Sequence, residues 1–171
     1  MISFRSKVLA VACAVAATAT VAVAGLTAAS ASPAPRPSWT GIEHFQLMTT
    51  SATSSKESII AIGGVFTAGG VDYQGNKVDR VVFPGGTFKI RHSSGKGTQN
   101  FNPKTCLNVI SLHGTYSLGH GTGKYAGISG HGRYQLSILF VAARNSKGKC
   151  SQTKPPAAYQ QIIKAHGPAK L

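Results

Sequence analysis

A chain of 171 residues with 18 Lys and Arg, 4 Asp and Glu and a net charge of +14 has room for one well-filled domain and not for a second. Charge of that sign attracts polyanions and keeps molecules apart in solution. The basic residues are scattered rather than clustered with aromatics, so nucleic acid is not expected as a partner.

The chain opens with Arg5 and Lys7 and then runs from Val8 to Leu26 without a charged side chain, mostly as Ala and Val. That is the charged start and apolar stretch of a secretory signal. Ala29-Ser30-Ala31 offers small side chains where a signal peptidase reads, so cleavage is expected after Ala31. The 19 uncharged residues approach a spanning length, but their Ala-rich composition and the processing site argue against a retained anchor. The expected organisation is a signal peptide over 1–31, a Pro-rich disordered lead-in over 32–40 and a single β-barrel domain over 41–171. Cleavage removes Arg5, Lys7 and Cys13 and leaves 140 residues with a net charge of +12. The expected location is therefore secreted, with no stable membrane span after cleavage.

Beyond the lead-in, short apolar or alternating segments are separated by Gly, Ser, Asn and Pro, which is the punctuation of strands. Strands are predicted near 42–50, 58–68, 78–83, 87–92, 106–118, 124–126, 133–142 and 159–166. No apolar helical period persists after Trp39. Alternation is clearest where Tyr134, Leu136, Ile138 and Phe140 share one parity against Arg133, Gln135 and Ser137; Phe88 and Ile90 alternate with Thr87, Lys89 and Arg91. Strands wet on one side must bury the other. About eight of them favour a closed barrel, which also removes exposed edges.

Charge is polarised along the chain: Glu43, Glu57, Asp72 and Asp79 are the acidic side chains, and from Arg80 to Leu171 there are 13 basic ones and no acid. The two cysteines left after cleavage, Cys106 and Cys150, are expected to form a disulfide in an oxidising compartment. Closing that loop would add roughly 4 kcal/mol in the chain-entropy picture.

Seven glycines fall between Gly114 and Gly132, as a tight turn and sharply bent strands require. Within this stretch, Gly121-Thr122-Gly123-Lys124-Tyr125-Ala126-Gly127 followed by Ile128-Ser129-Gly130-His131-Gly132-Arg133-Tyr134 resembles the signature hairpin of the allene oxide cyclase-like and dirigent-like barrels, with Gly121, Thr122, Gly123 and Tyr125 as its turn. Phe83-Pro84-Gly85-Gly86-Thr87-Phe88 and Gly63-Gly64-Val65-Phe66 are similar to exported bacterial members of that group. The resemblance covers roughly 42–166. It implies an all-β fold, an eight-stranded antiparallel barrel of the calycin or allene oxide cyclase-like kind preceded by a cleavable signal helix, built around an apolar cavity that steers a reactive hydrophobic molecule. His120 stands where the signature has its first Gly, and no motif aligns the family's catalytic carboxylate with any acid of this chain. No catalytic residue is carried over.

Other chemistry finds little footing. Gly121-Thr122-Gly123-Lys124 imitates a dinucleotide or P-loop fingerprint, but no helix, acidic residue or Ser/Thr follows as those motifs need. Gly127-Ile128-Ser129-Gly130-His131 misses the nucleophile elbow at its last position. His92, His113, His120 and His131 lack metal-ligand spacing, so no metal and no cofactor are expected. Glu43 shares a strand face with Phe45 and Leu47. It is read either as an inward acid or base whose pKa burial would raise or, preferentially, as a rim carboxylate paired with a Lys or Arg.

The expected function is binding of a small hydrophobic or aromatic molecule without chemistry, with Phe66, Phe88, Ile90, Ile110, Leu112, Tyr116, Tyr134, Leu136, Ile138 and Phe140 as wall candidates chosen by parity. The same side chains would serve equally to fill a solid core. The alternatives are an isomerase or cyclase of the resembled kind and a binder of an anionic envelope polymer. Ligand identity and oligomeric state are not encoded in any motif found.

Overall fold

In the computed structural model, residues 38–171 are described. The segment 1–31, expected as a signal peptide, and residues 32–37 of the expected lead-in fall outside them. Nine strands follow one another: β1 Thr40–Thr49, β2 Lys56–Gly63, β3 Thr67–Tyr73, β4 Val78–Phe83, β5 Gly86–His92, β6 Lys96–Asn102, β7 Leu107–Gly119, β8 Ser129–Val141 and β9 Ala158–Lys170. A short 3-10 turn, Gly123–Tyr125, connects β7 to β8.

Each strand pairs antiparallel with its neighbours. The order β5-β4-β3-β2-β1-β9-β8-β7 closes through β5 onto β7. The fold is therefore an all-β, closed, eight-stranded antiparallel barrel, as the alternation and the count of strands led one to expect. The ninth strand, β6, is a hairpin partner of β7 outside the ring. It takes the edge of β7 over Leu107–His113, while β5 takes the same edge over Tyr116–Gly119. Two seams are short: β3 meets β4 over Val71–Tyr73, and β5 meets β7 over Lys89–His92.

Period-two alternation explains which faces turn inward. On β1, Glu43, Phe45 and Leu47 are buried and His44, Gln46 and Met48 exposed; on β2, Glu57, Ile59 and Ala61 are buried and Ser58, Ile60 and Ile62 exposed. Three predicted elements differ. The strand expected over 58–68 is two strands, because Gly63 and Gly64 let the chain reverse and pair Ala61 with Ala68. The strand expected at 124–126 is the 3-10 turn, whose Tyr125 is buried rather than alternating. No strand was expected at 96–102. That segment is exposed throughout and holds one apolar side chain, Phe101, so its pairing with β7 leaves no hydrophobic period to read.

One end of the barrel is filled by aromatic rings. Phe66, Phe83, Phe88 and Tyr125 meet with ring centroids 5.2 to 6.3 Å apart, and Phe45 joins them against Phe88 at 6.3 Å. Tilted and edge-on pairs of this kind add about 0.5–1.5 kcal/mol each beyond the area they bury. The Gly121–Tyr125 turn holds this plug in place. Thr122 N–H donates to Thr87 O (2.7 Å), Lys124 N–H to Gly85 O (2.8 Å), and Thr87 N–H to Thr122 Oγ1 (3.0 Å).

Cys106 and Cys150 are bonded, with Cα atoms 5.5 Å apart. The bridge ties the start of β7 to the loop that follows β8.

Candidate functional site

Beyond the aromatic plug the barrel is hollow. A cavity of about 270 Å³, open on one side, is walled by Phe45 and Leu47 of β1, Ile90 of β5, Leu136 of β8, and Ile163 and Ala165 of β9. The barrel is thus filled by rings at one end and hollow beyond them.

Glycines make room for the two tyrosines of this wall. Tyr134 of β8 faces Gly114 of β7, and Tyr116 of β7 faces Gly132 of β8. A Cβ on Gly132 would stand 2.7 Å from Tyr116 Cε1, and one on Gly114 would stand 2.6 Å from Tyr134 Cε1. Side chains at those positions would push the rings out of place. The Tyr134 hydroxyl donates to Ser93 O at 2.8 Å.

The polar groups of the wall are Gln74, Asp79, His92, Tyr116, Tyr134 and Gln161. His92 Nε2 lies 3.5 Å from Asp79 Oδ2, and Asp79 Oδ1 accepts the Gly75 N–H at 2.8 Å. Behind them sit two further acids. Glu57 and Asp72 are opposite each other on β2 and β3 and are almost wholly buried. Glu57 Oε1 accepts from Gln74 Nε2 (2.6 Å) and from Gln161 Nε2, and the Tyr159 hydroxyl donates to Gln161 Oε1 (2.8 Å). Glu57 Oε2 and both Asp72 oxygens have no partner.

Burial raises the Glu57 carboxyl to about 7, against a lowering hydrogen bond from Gln161 and with a further push from Asp79. Asp72 is raised to about 8, first by burial and then by the charges of Asp79 and Glu57. Desolvation disfavours the ionised form and neighbouring like charge adds to it. Burial likewise lifts the Tyr116 phenol to about 12, with Glu43 adding to the shift.

Glu43 is buried with no exposure and faces inward. It is not the rim carboxylate paired with Lys or Arg that was preferred from the sequence. Its Oε2 accepts the N–H groups of Val65 and Phe66 at 3.2 and 3.4 Å, which tethers the β2–β3 turn, and burial raises its pKa. The side chain is not part of the cavity wall.

Of the wall candidates, Ile90, Tyr116, Tyr134 and Leu136 line the cavity. Phe88 and Phe66 belong to the aromatic plug. Ile110, Leu112 and Ile138 are half-buried on the β7–β8 pair. Phe140 lines a second, wider hollow of about 920 Å³, shared with Phe101, Asn108, Arg144, Lys154 and Tyr159. Among the four histidines considered together, His92 reaches the cavity, whereas His113, His120 and His131 are exposed. Among the described residues no group of three or more His, Cys, Asp or Glu is arranged to hold a metal ion.

Sequence reasoning passed over Glu57, Asp72, Asp79, Gln74 and Gln161. The signal was present for Glu57, which shares parity with Ile59 and Ala61 as Glu43 does with Phe45 and Leu47. The chain matches no protein-family model, no curated protein and no solved structure.

Proposed function

We propose that this protein is exported and binds one small apolar or aromatic molecule in the barrel cavity without transforming it. The observation that carries this reading is the wall itself: aliphatic and aromatic side chains over most of its surface with a few polar groups at fixed places, the usual make-up of a small-molecule site. Its volume lies between the roughly 150 Å³ that admits benzene and the roughly 300 Å³ at which pockets for larger ligands begin. A one- or two-ring molecule fits that range. Export is supported by the leader-like start of the sequence and by the Cys106–Cys150 bridge, which belongs in an oxidising compartment. The closed eight-stranded barrel is compatible with membership of the allene oxide cyclase-like and dirigent-like group, which is part of this proposal.

Native mass spectrometry of the protein recovered from culture medium tests the reading. The expected result is a chain beginning at Ser32 that carries a small molecule, which is lost when Ala165→Leu fills the cavity from β9. A ligand retained by that variant would place binding elsewhere.

One observation favours a second reading, in which the barrel steers a reactive apolar substrate as an isomerase or cyclase. Asp79 and His92 stand together in the cavity wall, an acid and a base within reach of a bound molecule. Turnover that disappears in His92→Gln while binding persists would distinguish it from simple binding.

A further inference from the structure

Resting on the reading of the cavity as a binding site, we propose that its ligand is a cation: a ring or short apolar body bearing a protonated amine, with the ammonium group set against Asp79.

The starting point is an inversion of charge. The chain carries 18 Lys and Arg against 4 Asp and Glu. Glu43, Glu57 and Asp72 are buried, and Asp79 lines the cavity. Glu57, Asp72 and Asp79 come from adjacent strands and form one acidic corner. Among the described residues no Lys or Arg forms a salt bridge with it. The two nearest by register, Lys56 and Arg80, turn outward over the Tyr73 ring, with Nζ 5.4 Å and Cζ 4.4 Å from its centroid.

Buried carboxyl oxygens without partners are costly, and Glu57 Oε2 and both Asp72 oxygens are in that state. Protonation relieves the cost, and so does a cation brought from outside. An ammonium group supplies three donors and a full charge, and in a water-poor cavity its attraction to carboxylates is far less screened than at the surface. The mainly aliphatic and aromatic wall beside Asp79 suits the apolar body of an organic cation.

A second, independent feature points to a ligand with polar substituents. Tyr116 is 5 % exposed and forms part of the cavity wall, yet its hydroxyl has no partner. The apolar walls around Leu47, Leu136 and Ile163 define where the body of the molecule lies, while Asp79, Gln74 and Gln161 define its polar end.

The groups that face this corner are Glu57 from β2, Asp72 from β3, Asp79 from β4, His92 from β5, Tyr116 from β7, Tyr134 from β8 and Tyr159 from β9, with Glu43 of β1 acting on Tyr116. His92 is the sole basic side chain among them.

Isothermal titration of the full-length secreted chain at pH 8 with tryptamine, tryptophol and indole-3-acetate provides the test. The three share one ring system and differ in charge. Tryptamine is expected to bind at least tenfold more tightly than tryptophol, with indole-3-acetate weakest. The surface charge works in the opposite sense, favouring the anion, and fades with added salt. Asp79→Asn is expected to abolish the preference for tryptamine over tryptophol, with Asp72→Asn as a second variant acting from behind the wall. Equal binding of tryptamine and tryptophol by the unmodified protein would overturn the cationic ligand and leave the apolar cavity standing. Binding of none of the three would overturn both.

Discussion

The ring of Tyr134 lies across Gly114, its partner on β7, so closely that a Cβ on the glycine would stand 2.7 Å from the tyrosine hydroxyl. The same tyrosine lines the cavity and anchors itself on Ser93 O. Gly114→Ala is therefore expected to displace the ring, break that hydrogen bond and cost about 1–3 kcal/mol, as overpacking does. Urea denaturation measures the cost. A variant as stable as the parent would mean that the ring yields freely.

Acid is expected to stabilise this barrel. Glu57 and Asp72, at about 7 and about 8, keep their protons in the folded chain over a range in which ordinary carboxyls at 4.5 and 3.8 have lost theirs. The folded state then binds more protons than the unfolded one, so stability is greatest near pH 4 to 5 and falls as pH rises towards 8. Each group contributes a slope of about 1.4 kcal/mol per pH unit over its own window. Thermal melts at pH 5 and pH 8.5 should show the higher midpoint at pH 5, and Asp72→Asn should flatten the difference. A midpoint that climbs with pH would contradict the assignment.

His120 adopts a left-handed backbone, φ 55°, at the position where the resembled hairpins carry glycine. An L residue is strained there by about 1–2 kcal/mol, while glycine loses about 0.4–1 kcal/mol through its freer unfolded chain. His120→Gly should thus stabilise the protein by about 0.5 kcal/mol, or about 2 °C in the melting midpoint. Loss of stability would show that the imidazole makes up for the strain.

Cys150 of the Cys106–Cys150 bridge lines the second hollow, and neither cysteine lines the barrel cavity. Replacing both residues by Ala should lower stability by about 2–4 kcal/mol. Ligand binding in the cavity should persist in the portion that remains folded, which titration under native conditions reads directly. Abolished binding would tie the two hollows together.

Much of the barrel was legible because its strands alternate. Phe88 and Ile90, or Tyr134 and Leu136, declare their inner face by parity alone, and the two cysteines beyond the leader-like start, Cys106 and Cys150, left a single pairing. What escaped did so for identifiable reasons. Lys96–Asn102 has no apolar period because neither of its faces is buried. Tyr125 reads as a strand residue but serves as a stopper for the barrel end, a role set by partners far away in sequence such as Phe66 and Phe83. The acidic corner was harder still. Polar residues on an inward parity look like outward ones until the register places Glu57 beside Asp72, and Gln161, more than a hundred residues away, reaches Glu57 only once β9 has closed on β1.

The two short seams enclose the β4–β5 hairpin, which contributes Asp79, Ile90 and His92 to the cavity. A panel gripped so briefly along both margins is where thermal breathing should concentrate, since local opening follows the weakest ladders. The side chains that greet a guest and the stretch of wall most ready to swing aside for it are, in this barrel, the same piece of chain.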